Sequence, residues 1–135
     1  MILGIDYGDT RTGFAVSDES GFLARTLETY TERNINKVVL HAAELSHKLG
    51  AERIVLGLPK NMDGSIGDRG KKSKKFASEL KKLTGLEVVL WDERLTTVSA
   101  HNLMNETNVR GKKRKDNVDK IAAAFILQAY LDSKR

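Results

Sequence analysis

The sequence predicts an α/β fold: a mixed five-stranded sheet, three antiparallel strands followed by β-α-β units, with helices on both faces. Three observations carry this. Ile2–Tyr7, Gly13–Ser17 and a stretch within Leu23–Tyr30 read as strands joined by short turns, and strands joined so closely pair antiparallel. From Ile35 onward the apolar spacing lengthens to that of a helix, and helical stretches then alternate with short apolar runs. Right-handed crossovers place the later strands parallel to the first.

Each element has a local cause. Ile2–Tyr7 is apolar and is stopped by Gly8-Asp9-Thr10; Asp18-Glu19-Ser20-Gly21 forms the turn after Ser17. Ile35, Val38, Val39, Ala42, Leu45 and Leu49 fall at helical spacing, and Gly50 supplies the stop. Arg53–Leu58 is a continuous apolar run, the pattern of a strand buried on both faces. Pro59–Gly70 is a polar, Gly-rich loop, and the helix carrying Phe76, Leu80 and Leu83 ends before Gly85. Glu87–Trp91 is the fifth strand. A short helix is expected over Thr97–Asn105. A last helix, about Val118–Ser133, carries Ile121, Ala122, Phe125, Ile126, Ala129 and Tyr130 on one stripe.

The chain has 135 residues, the size of one domain, so residues 1–135 are expected to share one core. There are no cysteines, which excludes disulfides, thiol catalysis and cysteine-ligated metals and fits a reducing, cytoplasmic setting. The longest apolar run, Ile121–Leu127, falls far short of the ~20 residues a membrane helix needs. Met1–Asp6 lacks the basic start of a signal peptide.

The net charge of +5 conceals two concentrations of positive charge. Residues 69–82 hold seven Lys/Arg against the single acid Glu79. Residues 110–115 hold Arg110, Lys112, Lys113, Arg114 and Lys115 with no acid, so the rest of the chain is acidic. One such segment alone reads as a solvated helix face or loop. Two on an acidic body point to a phosphate polymer. Arg110–Lys115 has no apolar anchor between Val109 and Val118 and is expected to be a mobile loop that orders on nucleic acid.

Against this background three groups of carboxylates stand out. Asp6 interrupts an apolar strand, where an acid is costly unless paired or bound to a cation, although a turn cap would also account for it. Asp92 and Glu93 follow an apolar strand, at the edge where ligands sit in open α/β sheets. Alternation puts Val89, Trp91 and Glu93 on one face and Leu90 with Asp92 on the other, so only one acid points into a given site; an ion pair with Arg94 is the plain alternative. Asp116 and Asp119 open the last helix, where capping alone favours Asp, and Asp119 edges the buried stripe. Carboxylates from three distant elements suit hard cations, and a pair of such ions activates water against a phosphodiester. His41, His47 and His101 lack metal-ligand spacing, and no phosphate-binding glycine loop is present.

Several motifs resemble the YqgF family: Gly4-Ile5-Asp6-Tyr7-Gly8 with Arg11 and Gly13; Gly57-Leu58-Pro59 with Met62-Asp63-Gly64-Ser65; Asp92-Glu93-Arg94-Leu95-Thr96-Thr97; and Val118-Asp119 with Ala122-Ala123. The resemblance covers nearly the whole chain. It implies a ribonuclease H-like fold related to Holliday-junction resolvases, and a nuclease processing the 5′ end of pre-16S ribosomal RNA. It further implies Asp6, Glu93 and Asp119 as the catalytic, metal-binding carboxylates, with Mg²⁺ or Mn²⁺ as cofactor. The residues alone do not choose Glu93 over Asp92, nor Asp119 over Asp116. Arg11, Arg94, Lys112, Lys113, Arg114 and Lys115 are the expected nucleic-acid-binding residues, the partner being pre-ribosomal RNA or branched DNA. Two alternatives use the same residues: a resolvase acting on four-way DNA junctions, which normally requires a two-fold dimer, and a non-catalytic RNA-binding factor of the maturing ribosome. An actin-like or sugar-kinase-like nucleotide site, suggested by Gly4–Gly8, is set aside because no second Asp-x-Gly strand pattern follows.

Overall fold

The computed structural model describes residues 1–95 and 111–134, with side chains over 1–94 and 118–134. The strands are β1 (Ile2–Asp6), β2 (Arg11–Ser17), β3 (Ala24–Thr31), β4 (Arg53–Leu58) and β5 (Glu87–Asp92). The helices are α1 (Ile35–Leu49), α2 (Asp68–Thr84) and α3 (Gly111–Ser133), and a single 3₁₀ turn covers Glu93–Leu95. The sheet order is β3-β2-β1-β4-β5, with β1–β2 and β2–β3 antiparallel and β1–β4 and β4–β5 parallel. The predicted topology is therefore the observed one. The expected helix over Thr97–Asn105 lies outside the described residues.

Strand alternation sorts the side chains into two layers. Leu3, Ile5, Phe14, Ile54 and Leu56 face α1 and α2, packing on Val38, Ala42, Phe76 and Leu80. Ala15 and Val55 face α3, packing on Ala123, Ile126, Leu127 and Tyr130. α1 starts at Asn34, whose side chain accepts a hydrogen bond from the Asn36 amide at 2.9 Å, and stops where Gly50 turns left-handed at φ 66°.

Two expectations about α3 need correction. Its buried residues are Ala122, Ala123, Ile126, Leu127, Tyr130 and Leu131, whereas Ile121, Phe125 and Ala129 are only partly covered. The helix is turned by one residue because Gly4 leaves a hollow in β1 that Leu127 enters; a Cβ at Gly4 would stand 2.8 Å from Leu127 Cβ. In addition, Gly111–Lys115 belong to the helix rather than to a loop. Lys and Arg are good helix formers, and a nucleus anchored by the packed turns beyond Asp119 extends backward through them against their mutual repulsion. Of the apolar residues quoted for α2, Phe76 and Leu80 are buried and Leu83 is half exposed. No helix among the described residues is long and apolar enough to cross a membrane.

Candidate active site

Asp6 ends β1 on the face turned toward α3, following Ile2 and Gly4 in the alternation. Both of its in-sheet neighbours are glycines. Gly13 of β2 is its antiparallel partner, and Gly57 of β4 lies one residue beyond the Ile5–Leu56 pair. Both glycines belong to the motifs that resemble the family, and an isolated glycine within a strand pattern signals a close approach.

Gly57 resolves how acids two strands apart can meet. Strands lie ~4.8 Å apart, so β1 and β5 are separated by ~10 Å with β4 between them. A Cβ at Gly57 would come within 2.7 Å of Glu93 Cγ and 2.9 Å of its Cδ. The missing side chain is the space through which Glu93 reaches Asp6. Glu93 is 8 % exposed, and the two carboxyls hydrogen-bond to each other. Burial, then the charge of Glu93, hold the Asp6 carboxyl well above the usual carboxylate range; Asp119 pushes the same way and Arg69 opposes.

Gly13 brings in the third acid. A Cβ on it would run into the carbonyl oxygen of Asp119, so only glycine lets α3 settle this close to β2. Asp119 lies near enough to act on Asp6, and its Oδ2 accepts from Arg11 Nε at 3.1 Å. The structure therefore gathers Asp6, Glu93, Asp119 and Arg11 at one edge of the sheet.

Asp92 is directed elsewhere. Its carboxylate accepts from Arg94 Nε at 3.0 Å, Arg94 Nη2 at 2.7 Å and the Arg94 backbone amide at 3.0 Å. These bonds hold Asp92 below its ordinary range. Asp92 thus clamps Arg94, whereas Glu93 meets Asp6. Arg94 in turn lies beside the loop after β4, its Nη1 3.8 Å from where a Gly64 Cβ would stand. An exposed pair of this kind is worth ~0.2–1 kcal/mol. Asp92→Asn is accordingly expected to leave cleavage within about fivefold of the unmodified protein in a single-turnover assay.

Of the remaining expected residues, Lys112, Lys113, Arg114 and Lys115 fall on the first turns of α3 with their side chains outside the described set, as does that of Asp116. Arg69, at the start of α2, was not singled out from the basic segment, yet it acts on Asp6.

The donor set suits a hard divalent cation: every candidate ligand is a carboxylate oxygen, and two of them crowd together with their charges opposing one another. Among the described residues no three such side chains already surround one point. Asp119 is turned to Arg11 and would have to exchange that guanidinium for an ion.

A mixed sheet in this strand order with helices on both faces is the ribonuclease H-like architecture found in resolvases. The RuvC protein of T. thermophilus, solved in complex with a Holliday junction substrate, superposes with a TM-score of 0.64 at 14 % identity over 98 % of this chain and 94 % of that one. A Fowlpox virus resolvase solved with Holliday junction DNA gives 0.59 at 13 % identity, over 98 % and 97 % of the two chains. Within this class the chain belongs to the RuvX/YqgF family, whose model, described as Holliday junction resolvase, matches residues 1–133. A protein of Acetivibrio thermocellus named "Putative pre-16S rRNA nuclease" is 48 % identical over 98 % of this chain and 96 % of its own length. Another of the same name from Bacillus cytotoxicus is 47 % identical over 98 % of each chain.

Proposed function

We propose that the protein is a divalent-metal-dependent nuclease of the cytoplasm, a single catalytic domain that hydrolyses phosphodiester bonds and trims the 5′ end of pre-16S ribosomal RNA. The observation that carries this reading is the Asp6–Glu93 pair, two carboxyls pressed together in a gap left by glycines. Such crowding serves no structural end, because a buried acid pair is stabilised only by a proton or a cation. The names of relatives with nearly half their residues in common favour pre-16S RNA as substrate.

Asp6, Glu93 and Asp119 are the residues that would hold Mg²⁺ or Mn²⁺. Bound there, such ions supply an activated water and charge stabilisation for the leaving oxygen. Glu93, walled in by the bare backbone of Gly57 and by Ile126, keeps one orientation and excludes solvent from its side. Arg11 holds Asp119 until the substrate arrives and then offers its guanidinium to a phosphate oxygen. Arg94, Lys112, Lys113, Arg114 and Lys115 hold the flanking backbone.

A second reading, resolution of four-way DNA junctions, is favoured by the description of the family. One experiment separates the readings. Purified protein is incubated with Mg²⁺ or Mn²⁺ on a precursor 16S fragment and on a four-way DNA junction, with Asp6→Asn as control. Metal-dependent cutting of the RNA near the mature 5′ end supports the proposal. Paired symmetric cuts in the junction alone support the second. Cutting that survives Asp6→Asn, or binding without any cutting, leaves an RNA-binding maturation factor as the better account.

A further inference from the structure

The lysines of α2 divide into two sets that physics treats differently. Gly70, Ser73, Phe76, Ala77 and Leu80 form the buried side of this helix. At about 100° per residue, Lys71, Lys74, Lys75, Lys81 and Lys82 fall on the side away from the core, and all are exposed. Lys81 and Lys82 occupy the last turn, where the helix dipole favours cations, and Lys82 also lies 3.9 Å from Glu79. Lys71, Lys74 and Lys75 stand in the first half, where the dipole favours acids instead. They repel one another at i,i+3 and i,i+4 spacing, and among the described residues none has an acidic partner within 4.0 Å. Helix stability gives no reason for these three cations.

Their position does. Arg69, one turn before them, acts on Asp6, and Lys72 reaches Asp9 at 3.2 Å in the loop that follows β1. The first turns of α2 therefore lie beside the loop that follows β1, at the same end of the sheet as the carboxylates. Resting on the nuclease reading above, we propose that Lys71, Lys74 and Lys75 form a rail for the phosphate backbone of a double-stranded arm leaving the cut. From residue 71 to 75 the helix rises ~6 Å, the span of about two base-pair steps at ~3.4 Å. The choice of duplex over single strand follows from the lack of stacking platforms. The only aromatic residue of α2 is Phe76, and it is buried against Tyr7, so this face offers charge and nothing on which an unpaired base could lie.

The test uses metal-free protein, so that binding is read without cutting. Duplex RNA, duplex DNA and a single strand of one sequence are titrated by fluorescence anisotropy over a range of salt. For the variant Lys71→Gln/Lys74→Gln/Lys75→Gln, the slope of log affinity against log salt on duplex should fall by roughly 2–3 units, at ~0.9 per lost phosphate contact. Lys81→Gln/Lys82→Gln should leave that slope unchanged. Equal loss on RNA and DNA duplexes is expected, since a phosphate rail does not read the sugar. An unchanged slope in the triple variant overturns the rail, as does an equal loss in the Lys81/Lys82 variant, which would mark a diffuse field rather than a surface. A loss on the single strand as large as on duplex overturns the choice of duplex. Failure of the nuclease reading is distinguishable: the protein would cut nothing with metal while the slope change persisted. If the rail alone is wrong, metal-dependent cutting stands and the slope does not move.

Discussion

Asp6→Asn is expected to reduce metal-dependent cleavage by at least about 10³-fold, since metal ions supply several kcal/mol of transition-state stabilisation and each ~1.4 kcal/mol is tenfold in rate. The same change should stabilise the metal-free protein, and pH decides by how much. The folded-state pKa of Asp6 is raised, first by burial and then by Glu93. Below the ordinary carboxylate range both folded and unfolded chains hold the proton, and the site costs nothing. As pH climbs from there through the raised value, the folded state binds more protons than the unfolded one, and stability is lost at up to ~1.4 kcal/mol per pH unit. Asparagine carries no such charge. The melting temperature of the variant should therefore draw ahead of the unmodified protein as pH rises from acid to neutral, by a few degrees or more at about 3–5 °C per kcal/mol. Added Mg²⁺ should raise the melting temperature of the unmodified protein and leave the variant unmoved, because only a ligand bound to the folded state stabilises it. Thermal melts across pH, with Mg²⁺ and with chelator, read both effects. Equal melting curves at every pH would mean that Asp6 is not under the strain its surroundings imply.

The strand directions and the face shared by Val89, Trp91 and Glu93 were legible because they follow from the handedness of crossovers and from alternation, both of which act residue by residue along the chain. Ile2, Gly4 and Asp6 must share a face, and so must Val89, Trp91 and Glu93. The rotation of α3 was not legible. It depends on the hollow at Gly4 that receives Leu127, a contact between elements more than a hundred residues apart. The helical start of α3 at Gly111 was missed for a different reason: like charges suggested a repelling loop, while propensity and the anchored turns beyond it prevailed. At the site itself, sequence pointed to the three acids as types and positions. It could not tell Asp92 from Glu93, because that choice is made by the Arg94 guanidinium on one side and by an empty Gly57 on the other. Glycines that matter by what they leave out have no chemical signature beyond their place in a strand.

Gly57→Ala should cost much of the activity, though less than losing a ligand, while leaving most of the fold intact. The added methyl would stand 2.7 Å from Glu93 Cγ and 2.7 Å from Ile126 Cδ1. Ile126 lies in the packed layer under α3 and has little room to retreat, whereas Glu93 sits in a short 3₁₀ turn at the sheet edge. The glutamate is therefore the group that moves, away from Asp6. Overpacking of this kind costs ~1–3 kcal/mol of stability, which a domain with ~5–15 kcal/mol in hand survives. Displacement of the reacting groups by about 1 Å costs on the order of 10²-fold in rate. The expected result is a folded, nucleic-acid-binding protein with a melting temperature lowered by several degrees, cleavage reduced about a hundredfold, and a weakened response of its melting temperature to Mg²⁺. Single-turnover cleavage alongside thermal melts checks all three. Ala at this position with full cleavage would show that Glu93 need not reach Asp6 through the gap at Gly57, and would detach Glu93 from the site.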